Sequence, residues 1–210
     1  MPSHRILFAL LASVACASSG GDPAAETPRP APAPALSVAP LAGQKIPVLP
    51  VTYLIADAPV DEGLPVDRAA RLTWADSLLG DALMARGPEV EWVLPPELRR
   101  VAARAPNLVT DPDRMGHSIL RAERLERTPD PLRAYLRALA AVTNARVVMA
   151  PAAVRFEPDP VGGGVRADVV LVLVDTRNGA VVWRSHPTAT GATPAAAFAA
   201  SIARVLPDFD

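Results

Sequence analysis

Apolar positions along this chain follow two different periods, and the β-type period is clearest between Val165 and Ser185, VRADVVLVLVDTRNGAVVWRS. Six consecutive apolar β-formers, Val169 to Val174, lead into a polar turn ending in Asn178-Gly179 and then a second β-rich run, Ala180 to Trp183. An unbroken apolar run fits a strand covered on both faces, and Asn-Gly between two such runs is a strong hairpin signal. The pattern predicts Val170, Leu171, Val172 and Leu173 buried from both sides, with Asn178-Gly179 exposed at the turn.

Upstream, Ile46 to Ile55 is β-rich but carries Pro47 and Pro50, which predicts a strand over Val48 to Leu54 that starts near an edge or bulge. After a Pro/Asp/Gly loop, Asp67 caps a helix to about Arg86, with Leu72, Leu79 and Leu83 on one stripe, Ala75 and Ala82 beside them, and Gly87-Pro88 as the stop. Val90 to Leu94 predicts a short strand and Pro96 to Ala105 a helix. Thr110 or Asp111 caps a further helix, with Met115, Ile119 and Leu120 facing inward, before the exposed charged run RAERLER from Arg121 to Arg127. Asp130 and Pro131 open another helix through Val142, carrying Leu132, Tyr135, Leu136 and Leu139 at core spacing, which Asn144 ends in a left-handed conformation.

Val147 to Phe156 predicts a strand with Pro151 marking a bulge, and Gly162 to Gly164 a loose turn. Thr193 and Pro194 cap a last helix to Leu206, whose Phe198, Ile202 and Val205 dock on the sheet. The order β-α-β-α-α-α-β-β-β-α implies an α/β fold. It combines a mixed β-sheet of about five strands, helices packed on it, and a C-terminal β-hairpin followed by a final helix.

The N-terminus, MPSHRILFALLASVACASSGGD, changes the picture from a bare domain to an exported one. His4 and Arg5 precede an apolar core from Ile6 to Ala15, too short to span a bilayer and laid out as a secretory signal. Ser13-Val14-Ala15-Cys16 resembles the lipobox of bacterial lipoproteins, in which the cysteine becomes the lipidated N-terminus; Leu is commoner where Ser13 stands. Cleavage after Ala17, giving a soluble periplasmic or secreted protein, and retention of Cys16 in an uncleaved anchor are the competing readings. Cys16 is the only cysteine, directly behind the apolar core, so the mature domain has no internal disulfide.

Ala17 to Gln44 lacks aromatics and carries six prolines. That composition predicts a disordered tether, reaching at most roughly 90 Å in polyproline II geometry. A Pro-rich recognition motif is the alternative. The expected organisation is therefore a lipoprotein signal over residues 1–16 with Cys16 as acceptor, a Pro/Ala-rich tether over 17–44, and a single α/β domain over 45–210.

Composition removes some functions. The 210 residues are half hydrophobic with a net charge of −1, and Lys45 is the only lysine, a coding bias rather than a patch. There is no basic excess of the kind a nucleic-acid binder needs. No phosphate-cradling GxxxxGK[ST] occurs, and Gly162 to Gly164 lies between strands rather than before a helix. His117 and His186 have no His or Cys at ligand spacing and read as surface or capping residues, so no metal is expected. Ser118 beside His117 points about 100° away on a helix, and no GxSxG elbow exists. Asp57, Asp61 and Glu62 read as solvated acids of a loop. Trp92 and Trp183 read as sheet or core residues and Trp74 as the rim of its helix face. The nine arginines from Arg99 to Arg137 read as a solvated helical face, with contact to an anionic surface or acidic partner as the alternative. No catalytic residue and no cofactor is expected.

KIPVLPVTY, VLPPELRR, TNARVVMAPAAV and VLVDTRNGAVVWRS, taken in that order, resemble the CsgG/LpoB/TolB-N-terminal-like group of bacterial envelope proteins over about Lys45 to Leu206. The group includes a secretion-channel subunit, activators of peptidoglycan synthases and parts of envelope assemblies, working through protein contacts rather than catalysis. This chain lacks the inserted amphipathic strands of the channel former. The resemblance implies a domain that works through protein contacts, and with the signal layout, the tether and the absence of catalytic constellations the expectation is a non-enzymatic lipoprotein, anchored to the outer membrane through lipid on Cys16, whose periplasm-facing domain binds another envelope protein. Ala17 after the cysteine, rather than Asp, resembles the outer-membrane sorting pattern. A soluble periplasmic small-ligand-binding or enzymatic domain is the alternative.

Overall fold

Even and odd residues of the chain's long hairpin go to opposite sides of a sheet, and each side receives its own core. The structure, a computed structural model, describes residues 34–206. Cys16, the signal and most of the expected tether lie outside the described residues. The elements run β1 (Lys45–Pro47), β2 (Leu54–Ala56), α1 (Arg68–Arg86), β3 (Glu91–Val93), α2 (Pro95–Arg104), α3 (Leu132–Thr143), β4 (Val147–Pro158), β5 (Val165–Asp175), β6 (Ala180–Ser185), β7 (Thr188–Gly191) and α4 (Pro194–Val205).

β5 pairs antiparallel with β4 along one edge; along the other, β7 covers its first half and β6 its second. β2 runs parallel to β4 on the far side, completing a mixed five-stranded sheet. β1 and β3 form a separate parallel pair, joined to β4 where Val48 lies opposite Met149. Val165, Ala167, Val169, Leu171 and Leu173 face a core shared with α1 and α4, whereas Val172 and Val174 face a second core shared with α2 and α3. Phe156 and Phe198 are fully buried in the first core with ring centroids 6.4 Å apart, each contributing about 2–3 kcal/mol by burial.

A register shift between Pro151 and Ala153 confirms the bulge at this proline. One extra residue flips the parity of everything after it. Val147 and Met149 face the α1/α4 core before the bulge, and Val154 and Phe156 face it afterwards. The helix ends follow the sequence reading closely. Asp67 Oδ2 accepts the Ala70 N–H at 2.8 Å, Thr193 Oγ1 accepts the Ala196 N–H at 3.2 Å, and Asn144 ends α3 at φ 54°.

Several expectations need correction. The helix expected after Asp111 is two 3-10 turns, Pro112–Arg114 and His117–Arg121, because Gly116 between them takes φ 71°. The first strand is split into β1 and β2, and β7 was not foreseen. Leu171 to Leu173 are buried but Val170 is only half-buried, and of the turn pair only Asn178 is exposed. Gly179 lies beneath Thr128, whose N–H and Oγ1 both reach its carbonyl, at 2.8 and 2.7 Å. The packed domain also begins before Lys45. Leu36 and Val38 are buried, the Leu36 N–H donates to Val205 O at 2.7 Å, and the Gly43 N–H donates to Glu89 O at 2.8 Å. Two apolar residues in a Pro/Ala-rich stretch were enough to pin it.

Candidate functional site

The polar centre of the molecule is the gap in its first strand. After Leu49, whose N–H reaches Met149 O, the chain leaves the ladder and rejoins it where Tyr53 O accepts the Val154 N–H. Pro50 cannot donate, and the groups of Pro50, Val51 and Thr52 must find partners elsewhere. Side chains supply them. The Val51 N–H donates to Asp76 Oδ1 at 2.7 Å, His117 Nε2 donates to Pro50 O at 2.8 Å, and Arg68 Nη2 donates to Thr52 O at 3.1 Å.

Asp76 projects from the middle of α1 and is 3% exposed; its second oxygen accepts Arg99 Nη2 at 2.8 Å. Arg99, on α2, also grips Asp113 through two nitrogens, each at 2.7 Å. Burial raises the Asp76 pKa, opposed by the Val51 N–H and by Arg99. The hydrogen bonds that Arg99 donates to Asp113 lead in holding it protonated, above its ordinary range. His117 is fully buried, and burial lowers its pKa to about 4 despite the bond to Pro50. With Nε2 donating, Nδ1 is a bare acceptor without a partner among the described residues.

This arrangement fastens three segments, α1, α2 and the turns around Asp113 and His117, onto an interrupted strand. It corrects the expectation for His117, which is a core residue rather than a surface or capping one. Asp76, Arg99 and Asp113 were not singled out from sequence. The available signal was Asp76 itself, a carboxylate four residues after Leu72 and three before Leu79 on the apolar stripe of α1.

Arg99 also borders two hollows. One is an open groove of about 810 Å³ lined by Ala102, Val109, Asp113, Arg114 and Tyr135; the other, about 220 Å³, is lined by Thr73, Asp76, Gly80 and Leu94. The remaining candidates do not converge. His186 is exposed and Ser118 half-buried. Asp57 pairs with Arg155 at 3.1 Å, Asp61 with Arg71 at 2.5 Å, and Glu62 is exposed. Trp92 is buried, donating Nε1 to Gly87 O at 2.7 Å, and Trp74 and Trp183 pack partly buried against the α1/α4 core. Among the arginines, Arg100 pairs with Glu97, Arg133 with Asp130, and Arg121 lies over the Tyr53 ring at 4.7 Å. Gly163 and Gly164 make the turn between β4 and β5, with φ of 66° and 103°. Among the described residues no three His, Cys, Asp or Glu side chains are grouped to hold a metal, and no helix is long and apolar enough to cross a membrane.

No protein-family model matches the chain, and no curated protein matches it in sequence. Solved structures do match in shape. A PelC dodecamer from Paraburkholderia phytofirmans is 23% identical, covering 83% of this chain and 91% of its own at a TM-score of 0.41. The LpoB C-terminal domain from Salmonella enterica is 12% identical, covering 71% and 84% at 0.40. The E. coli LpoB structure is 14% identical, covering 91% and 85% at 0.39. LpoB is one of the names in the sequence resemblance, whereas its CsgG and TolB parts gain nothing from these matches.

Proposed function

We propose that this chain is a non-enzymatic lipoprotein of a bacterial envelope, held by lipid on Cys16 at the outer membrane, whose periplasm-facing domain binds another envelope protein. The observation that carries the reading is the order of its N-terminal parts: a short basic and apolar signal, a lone cysteine at its end, and a Pro-rich stretch leading into a folded domain. The use made of the buried titratable groups supports the non-enzymatic part. Burial raises the Asp76 pKa and lowers that of His117 to about 4, and perturbed groups of this kind mark many active sites. Both are engaged with backbone groups of the interrupted strand, however, and the Thr52 hydroxyl, 3.4 Å from His117, faces the same Nε2 that donates to Pro50 O and so meets a donor rather than a base. The groove beside Arg99 is open and balanced in charge, Arg99 and Arg114 against Asp111 and Asp113, unlike the enclosed apolar pockets typical of small-molecule sites.

Labelling with radioactive palmitate, followed by membrane fractionation of wild type and Cys16→Ala, tests the anchor. The reading requires label on the wild-type chain, recovery with outer membranes, and loss of both in Cys16→Ala. A wild-type mature chain that is soluble and unlabelled overturns it in favour of the periplasmic or secreted alternative.

A further inference from the structure

We propose that the outer edge of β2 is the docking site for an extended segment of the partner protein. That segment adds as a strand, seats an apolar side chain beside Leu54 and places an acidic side chain against Arg68. The proposal deepens the partner-binding reading and rests on it.

The pairing of β2 decides which way its backbone faces. Val154 donates to Tyr53 O and Asp57 donates to Phe156 O, so residues 53, 55 and 57 turn their backbone groups toward β4. By the alternation of a strand, the N–H and C=O of Leu54 and Ala56 point the other way. Those four groups make no hydrogen bond among the described residues. Leu54 is nonetheless only 8% exposed, and backbone groups so placed are ordinarily paired. Most edges are blunted by charge, proline or a covering loop. This one opens onto a cavity of about 210 Å³ lined by Leu54, Val66, Arg68, Arg71 and Leu72, large enough for an apolar side chain.

Two features of the rim specify the occupant. Val66 at its mouth is 96% exposed, an apolar side chain left in water. Arg71 is neutralised by Asp61, but among the described residues Arg68 bonds only to the Thr52 carbonyl and has no acidic partner. Arg68 also occupies the first position of α1, where the helix dipole disfavours a cation, and neighbouring Asp67 is engaged in capping Ala70. An incoming carboxylate would relieve that charge. Main-chain pairing would supply affinity, and the apolar cavity with its adjacent cation would supply specificity.

The test is site-specific photo-crosslinking in intact cells from Val66, from Leu108 beside the Arg99 groove and from Val142 on α3, each in the full chain. The Ala56→Pro variant removes only an outward-facing N–H, a substitution edge strands tolerate, and circular dichroism checks that it folds. Arg68→Glu serves as the second variant should Ala56→Pro unfold. The proposal requires a discrete envelope-protein adduct from Val66 that falls about tenfold in Ala56→Pro or in Arg68→Glu. An adduct unchanged in both variants overturns it, as does a Val66 adduct consisting of a second copy of this chain. Adducts from Leu108 or Val142 with none from Val66 overturn the β2 edge and leave partner binding standing. Absence of envelope-protein adducts from all three positions removes the functional reading itself, and the edge with it.

Discussion

The backbone N–H of Val51 donates to Oδ1 of Asp76 at 2.7 Å, a bond that does for the interrupted first strand what a neighbouring strand would otherwise do. Asp76 is thereby fixed between β1 and β2 on one side and Arg99 on the other. Asp76→Ala strands the Val51 N–H and one N–H of Arg99 Nη2, whose other bond to Asp113 remains, with an expected loss of about 3–4 kcal/mol in urea unfolding. Asp76→Asn keeps an acceptor for Val51 and should lose roughly half as much.

His117 makes stability depend on pH in a stated direction. Its pKa is about 4 in the folded protein against the ordinary 6.5, so between those values the unfolded chain takes a proton that the folded one refuses. The His117 contribution is complete above pH 6.5 and is lost as pH falls toward about 4, over a range of about 3 kcal/mol. Asp76 acts oppositely: its raised pKa lets the folded protein take a proton first, so the cost of its buried charge eases as pH falls. Urea midpoints of wild type and His117→Gln across this range should diverge in slope, with the variant flatter. Identical slopes would remove His117 as the source.

Two glycines should differ in what alanine costs. A Cβ on Gly191 would lie 2.5 Å from the Ala197 nitrogen and 2.8 Å from the Ala196 carbonyl carbon, which are backbone atoms of α4 that cannot turn aside. At Gly179, φ is 71° and the nearest atoms are side-chain ones, Thr128 Oγ1, held by its bond to the Gly179 carbonyl, and the flexible Arg133 chain, with no backbone among them. Thermal unfolding should show Gly191→Ala losing about 3 kcal/mol and Gly179→Ala about 1–2 kcal/mol.

Leu36 tests where the domain starts. Being 6% exposed and part of the α1/α4 core, it should lose about 2–3 kcal/mol on Leu36→Ala. If residues 17–44 were all tether, the same substitution would leave the denaturation midpoint unchanged.

Local chemistry made much of the fold legible. The Asp67 and Thr193 caps, the left-handed Asn144, the Pro151 bulge and the buried run to Val174 all rest on short-range signals that no distant contact overrides. The features that escaped depend on distant partners. Thr188–Gly191 pairs as β7 only because Val165 to Asp168 lie beside it, and Thr-Ala-Thr-Gly carries too little apolar pattern to announce a strand. The split of the first strand is stabilised by Asp76 and His117, which lie 25 residues from Val51 and 67 from Pro50. Gly116 replaced a helix with two turns although the caps and apolar spacing pointed to a helix. The proposed N-terminal signal and its cysteine, by contrast, lie outside the described residues and are read from sequence alone.

Engagement of another envelope protein is the centre of this account. The most direct measurement is formaldehyde crosslinking of the full-length chain in intact cells, identification of what is captured, and titration of that purified protein against the mature chain. The account predicts an exported envelope protein that recurs across preparations and binds with a Kd of about 1 μM or tighter. Capture of no exported protein, or a captured protein that shows no binding once purified, would contradict it.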